Sequence, residues 1–282
     1  MSINLLYHDV TPAGADDTSG FTGPAAARYK LTPEEFAAHL DQIGASVKSA
    51  PANSSNAVLP SENSWTITFD DGGLSNATVI ADELERRGWR GWFFIATDFI
   101  DHPTFCSRAQ LRDLHDRGHV IGSHSCSHPE RISSCTSIQL FDEWSRSRRV
   151  LSEITGQDVT TASVPGGFYS TEVARAASRA GIRLLFTSEP TIHEFVVDDC
   201  RIVGRYNIYR GMSAADATRL LTSPVRRWRQ AAFWTAKKAA KTVAGPVYKA
   251  VRQRLLNRDC PGLIPRHGSA SSARPGCRRR SS

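Results

Sequence analysis

Trp65-Thr66-Ile67-Thr68-Phe69-Asp70-Asp71-Gly72-Gly73 is the stretch whose reading decides the fold. Trp65, Ile67 and Phe69 alternate with two threonines, an aromatic and β-branched run that predicts a strand. Two carboxylates stand at its C-terminal end, and the chain then turns on glycine. Parallel α/β folds place their chemistry at that end of a strand, so the pair reads either as a polar turn or as part of a site. Neighbouring side chains leave a strand in opposite directions, so the two acids need not do the same work.

Outward from this strand, helices and strands alternate. Residues 77–87 have Val79, Ile80 and Leu84 on one side and stop at Gly88, and the apolar run 91–96 fits a strand buried on both faces. The pattern continues with a helix over 107–117, a strand over 118–124, a helix over 137–155 stopped by Gly156, and a strand over 160–164 running into Pro165-Gly166-Gly167. A helix over 171–180 and a strand over 182–186 follow. Upstream, Ile3 to Tyr7 predicts a first strand ending in His8-Asp9, and Thr32-Pro33-Glu34-Glu35 is a strong helix start. Residues 46–64 are small and polar and read as a loop, 202–209 as a last strand, and 213–221 as a final helix. Such alternation argues for a parallel α/β barrel.

At 282 residues, with 40% hydrophobic and 22% charged, the chain can bury a full core. The net charge of +7 is concentrated beyond Pro224, where Arg226, Arg227, Arg229, Lys237, Lys238, Lys241, Lys249, Arg252 and Arg254 interleave with Trp228, Phe233, Trp234, Val243 and Val247. This basic amphipathic segment reads as a solvated helix or as a peripheral membrane contact through 226–258. Its aromatic interleaving argues against a nucleic-acid arm. The six cysteines show no C-x-x-C pair, so neither a disulfide framework nor a zinc framework is expected. The N-terminus lacks a basic segment with a long apolar core, which points to the cytoplasm, at the inner face of the membrane if the basic segment binds there.

His124-Ser125-Cys126-Ser127-His128 sets two imidazoles four residues apart, on one face if the segment makes a helical turn. Imidazole suits zinc and similar ions, and Asp70 or Asp71 could add an oxygen ligand, since each group follows its own strand at the C-terminal end. Cys126 would point away as filler, and His102, His115 and His119 read as surface or supporting residues.

Thr68-Phe69-Asp70-Asp71-Gly72 and the His124–His128 segment resemble the first two motifs of the polysaccharide deacetylases of carbohydrate esterase family four, the chitooligosaccharide deacetylase homology domain. Leu5-Leu6-Tyr7-His8 resembles that family's opening strand and Val164-Pro165-Gly166-Gly167 its third motif, so the resemblance covers about residues 3–215. It implies an α/β fold, a distorted (β/α)7-type barrel forming a single catalytic domain over 1–222. A basic helical extension over 223–258 and a disordered tail over 259–282 would follow. It also implies a metal-dependent N-deacetylase acting on an N-acetylated glycan or lipid-linked sugar. Asp70 would be the base, Asp71, His124 and His128 the ligands of a divalent ion, zinc by preference, and the Gly166 N–H an oxyanion donor.

The departures matter too. The family's third motif carries an arginine two residues before its proline to orient the catalytic aspartate, and here Ser163 stands there, so Arg205 is the candidate for that task. The family's aspartate and tryptophan motif has no match. Nor does its final leucine-rich strand ending in a proton-donating histidine, which leaves His8 or His193 as substitutes. Two further readings stay open: a catalytically weakened, metal-containing glycan-binding protein, and a hydrolase of a non-sugar amide.

Overall fold

Nine strands form one sheet, and two residues bring its ends together. The computed structural model describes residues 2–52 and 64–243. Its strands are β1 (Ile3–Tyr7), β2 (Trp65–Phe69), β3 (Trp92–Ile95), β4 (Val120–Ser123), β5 (Thr161–Ser163), β6 (Leu184–Phe186), β7 (Phe195–Val197), β8 (Cys200–Val203) and β9 (Tyr206–Asn207). They lie in the order β7-β8-β6-β5-β4-β3-β2-β1-β9. Every pairing is parallel except β7 with β8.

Only Gly204 and Arg205 separate β8 from β9, yet these strands sit at opposite sides of the sheet order. Three Cα steps span at most about 11 Å, so the sheet must curl until its edges nearly meet. The expected last strand over 202–209 is therefore two strands on either side of a seam. A side chain at Gly204 would stand 2.4 Å from the Glu189 carbonyl, so only glycine lets the chain cross there. The Arg205 N–H donates to that same carbonyl, and the Asn4 side-chain amide donates to the Gly204 carbonyl. Counting β8 and β9 as one interrupted stave gives seven, with β7 as an added hairpin strand that the sequence reading did not include.

The helices are α1 (Pro24–Ala27), α2 (Pro33–Ser46), α3 (Ala81–Glu85), α4 (Arg108–Asp116), α5 (Ser137–Thr155), α6 (Thr171–Arg179), α7 (Ala214–Thr222) and α8 (Pro224–Val243). α2, α4 and α5 each begin with a reciprocal capping box, at Thr32, Ser107 and Thr136. Each cap is worth about 1 kcal/mol and fixes where its helix starts. The helix expected over 77–87 opens as a π-helical turn, Asn76–Ile80, before α3.

Apolar side chains of the helices pack against β1, β2 and β3 in one large cluster and against β5 and β6 in a second. α8 covers the start of the predicted extension, whereas residues 53–63 of the loop, 244–258 of the extension and the tail 259–282 lie outside the described residues. Among the described residues four cysteines are free, and no helix is long and apolar enough to cross a membrane.

Candidate metal centre

β2 and β4 end at the same edge of the sheet with β3 between them, and each delivers part of one site. Asp70 and Asp71 follow β2, and His124 follows β4. The segment from His124 to His128 is not a helical turn. Ser125 and His128 both adopt left-handed backbone, at φ 64° and 50°, which folds the loop so that the two rings lie 5.1 Å apart. Asp71 is also left-handed, at φ 76°, so three of the five such non-glycine residues among the described ones belong to this site. Backbone held in that costly region must be imposed by its surroundings.

The surroundings are visible. Thr97 and Asp98 N–H groups donate to the carbonyls of Ser125 and Cys126, and the Ala96 N–H donates to that of Asp71, tying both strand ends to one connector. Glu143 of α5 accepts from the Cys126 N–H at 2.8 Å, the Ser127 N–H at 2.9 Å and the Ser127 hydroxyl at 2.6 Å. Glu143 is buried, and sequence reading passed it over. The signal was there, because an acid three residues after Leu140 and beside Trp144 sits on the apolar stripe of its helix. Phe21 packs on the His128 ring at 4.7 Å, and its loop is held by the buried Lys30 ammonium, which donates to the carbonyls of Asp16, Ser19 and Phe21, each at 2.6 Å.

The two acids receive different partners. Asp70 is buried, and Arg205 forks onto both its oxygens at 2.7 Å. Ser163 donates its hydroxyl to Asp70 Oδ1 at 3.0 Å, and that hydroxyl lies 2.6 Å from His124 Nδ1. A hydroxyl that donates to a carboxylate must accept from the ring, so Nδ1 carries the proton and Nε2 turns toward the acids. Burial alone would raise the Asp70 pKa, but the Arg205 and His124 charges beside it outweigh that and hold it below its ordinary value.

Asp71 Oδ1 stands 3.4 Å from His124 Nε2 and 3.5 Å from His128 Nε2. Burial opposes its charge too, yet the imidazoles of His124, His8 and His128 hold its pKa far below the carboxylate range. Burial pushes the His128 pKa down. In the neutral form of the ring, the proton on Nδ1 would leave a lone pair on Nε2 aimed at a carboxylate, an arrangement that calls for a cation between them. Asp71, His124 and His128 are the one such group of three among the described residues whose donor atoms all lie within 4.8 Å of one another. The donor set of two imidazoles and one carboxylate fits zinc or a similar divalent ion.

The other expected residues are placed less directly. Gly166, at φ 60°, follows β5, and a side chain there would lie 3.7 Å from the carbonyl of Glu130, two residues past His128. His193 is exposed ahead of β7. His8 follows β1, stacks on Tyr29 at 4.8 Å, and lies close enough for its charge to act on both acids. His119 is no surface residue: it is buried between the Gly91 N–H and Glu85. Cys126 is buried and is not one of the three grouped residues.

The chain resembles known proteins in sequence and in fold. Residues 58–185 match the model of the polysaccharide deacetylase family. The chain is 27% identical over 192 residues to the protein YxkH of Bacillus subtilis, which covers 66% of this chain and 64% of that one. It is 32% identical over 130 residues to the peptidoglycan-N-acetylmuramic acid deacetylase PdaA of the same species, covering 45% of this chain and 47% of PdaA. The fold superposes on the Streptococcus pyogenes deacetylase PplD with a TM-score of 0.64 at 18% identity, over 78% of this chain and 97% of that one. It superposes on a polysaccharide deacetylase from Bacillus cereus with a TM-score of 0.65 at 16% identity, over 78% of this chain and 68% of that one. Over residues 58–185 the chain is therefore similar to the polysaccharide deacetylases.

Proposed function

We propose that the chain is a metal-dependent hydrolase that removes N-acetyl groups from an amino-sugar glycan or glycan precursor. The observation that carries this reading is the division of the acid pair: Asp71 faces two imidazole nitrogens while Asp70, one residue away, is held by Arg205 and Ser163. Relatives named as peptidoglycan deacetylases, PdaA and the PgdA of Listeria monocytogenes, act on that class of amide. A divalent ion held by Asp71, His124 and His128 would polarise the acetamide carbonyl and acidify a water.

The residues of the chain supply the rest. Asp70, ionised beside Arg205, keeps Oδ2 3.9 Å from His124 Nε2 and so borders the space a water would occupy; it takes the proton as that water attacks. Arg205 and Ser163 fix its orientation, and Ser163 also fixes the His124 tautomer. The oxyanion is assigned to the Gly166 N–H. The leaving amine is assigned to His8. Leu5-Leu6-Tyr7-His8 is itself a leucine-bearing strand ending in histidine, and β1 lies beside β9, where a terminal histidine is missing. His8 Nδ1 is buried without a hydrogen-bond partner, so that nitrogen has no competing structural duty.

The test is acetate release from N-acetylglucosamine oligomers and peptidoglycan fragments with added zinc. Wild type should turn over. Asp70→Asn, checked for folding by circular dichroism, should lose at least about a hundredfold. Equal release from both would refute the mechanism, and glycan binding without turnover would favour a weakened binding protein.

A further inference from the structure

We infer that α8 is an interfacial helix that seats the protein on an anionic lipid surface, with its outward apolar face in the headgroup region. The helix departs from an ordinary surface helix in what it turns outward. Its inward side carries Trp234 together with polar groups: Arg226 pairs with Asp216 at 3.4 Å, Arg227 donates to the Leu220 and Leu221 carbonyls that end α7, and Gln230 donates to the Asn207 carbonyl at 2.9 Å. Its outward side carries Val225, Trp228 and Phe233, which are 60%, 69% and 66% exposed. A helix facing only water shows the reverse pattern.

Charge selects the occupant. Residues 224–258 hold ten Lys and Arg and no Asp or Glu, whereas residues 1–223 hold 27 Asp and Glu against 20 Lys and Arg. A second copy of α8, or the equally basic chain beyond residue 243, would bring like charges together on this face. Anionic headgroups attract the helix and repel the barrel, so one orientation is selected. The helix also lies beside the proposed site. A side chain at Gly167 would stand 3.2 Å from the Trp234 ring, so α8 packs against the loop that follows β5, at the strand end that carries Asp71. Docking through α8 therefore sets the rim of the barrel next to the bilayer. The inference rests on α8 and not on the hydrolase reading.

The experiment is co-sedimentation of the full chain with vesicles of phosphatidylcholine alone or mixed with phosphatidylglycerol. Pelleting is expected only with phosphatidylglycerol, weakening as salt is raised. A Trp228→Ser/Phe233→Ser double variant should bind about tenfold more weakly or worse, with an unchanged melting temperature because both side chains are exposed. Failure to pellet at low salt, or equal pelleting by the double variant, would overturn the inference. So would a wild-type dimer that the double variant turns into a monomer in sedimentation velocity without vesicles, since a second copy would then cover the face.

Discussion

The floor of the site, Asp70 with Arg205, and its rim, Asp71 with His124 and His128, begin at adjacent residues and are solved in opposite ways. The floor is complete in itself: a guanidinium crosses from the seam to both oxygens of Asp70 and also donates to the Thr187 carbonyl, with the Phe94 and Phe186 rings beside it at 5.6 and 5.9 Å. The rim is open: a carboxylate oxygen and two imidazole nitrogens face one another at about hydrogen-bond range, and the His128 side chain is 23% exposed. A closed ion pair holds a group still, whereas an open set of ligands leaves room for an ion and a substrate.

The largest expected effect breaks the floor. Arg205→Met strands a buried carboxylate and should cost about 3–5 kcal/mol in urea unfolding, with much of the loss recovered in Asp70→Asn/Arg205→Met. A single variant as stable as wild type would show that the pair does not hold the seam.

His119 sharpens the contrast, because it is an imidazole completed by protein alone. Its Nδ1 accepts from Gly91 and its Nε2 donates to Glu85. Burial lowers its pKa to about 4. The charged form is therefore disfavoured on folding, so this stability is fully present above the unfolded value near 6.5 and is lost as pH falls toward 4. The loss should reach about 3 kcal/mol, read by denaturation at a series of pH values, and His119→Gln should flatten the slope.

The rim should respond to metal. Zinc at 100 times its dissociation constant should stabilise the protein by about 2.7 kcal/mol, read as a shift in melting temperature that a chelator reverses. Asp71→Asn should abolish the shift and Asp70→Asn should keep it. If Asp70→Asn abolished it as well, the division between the acids would fail. The smallest effect tests the link between the two regions: Ser163→Ala should cost about 1 kcal/mol, while leaving Arg205 in place. No change in either stability or zinc affinity would mean that the hydroxyl joins nothing.

Much of the barrel is legible in the sequence because its signals are local. The alternation at Trp65 to Phe69, the caps at Thr32, Ser107 and Thr136, and the stop at Gly156 each act within a few residues. Where reading failed, distant contacts decided. Residues 202–209 look like one strand, and only the Glu189 carbonyl against Gly204 shows that they cannot be. The histidine segment looks like a helical turn at its spacing of four, yet Glu143, from the next helix, pins it as a loop. His119 looks like an ordinary helix-end residue, and its burial follows from packing between β3 and α3.

By itself the sequence determined the alternating elements and the four side chains Asp70, Asp71, His124 and His128, since periodicity and motif spacing are carried along the chain. Tertiary structure alone decided which partners each acid receives. Arg205 lies 135 residues from Asp70, and only closure of the barrel at the seam brings its charge onto one carboxylate and leaves the other to the imidazoles.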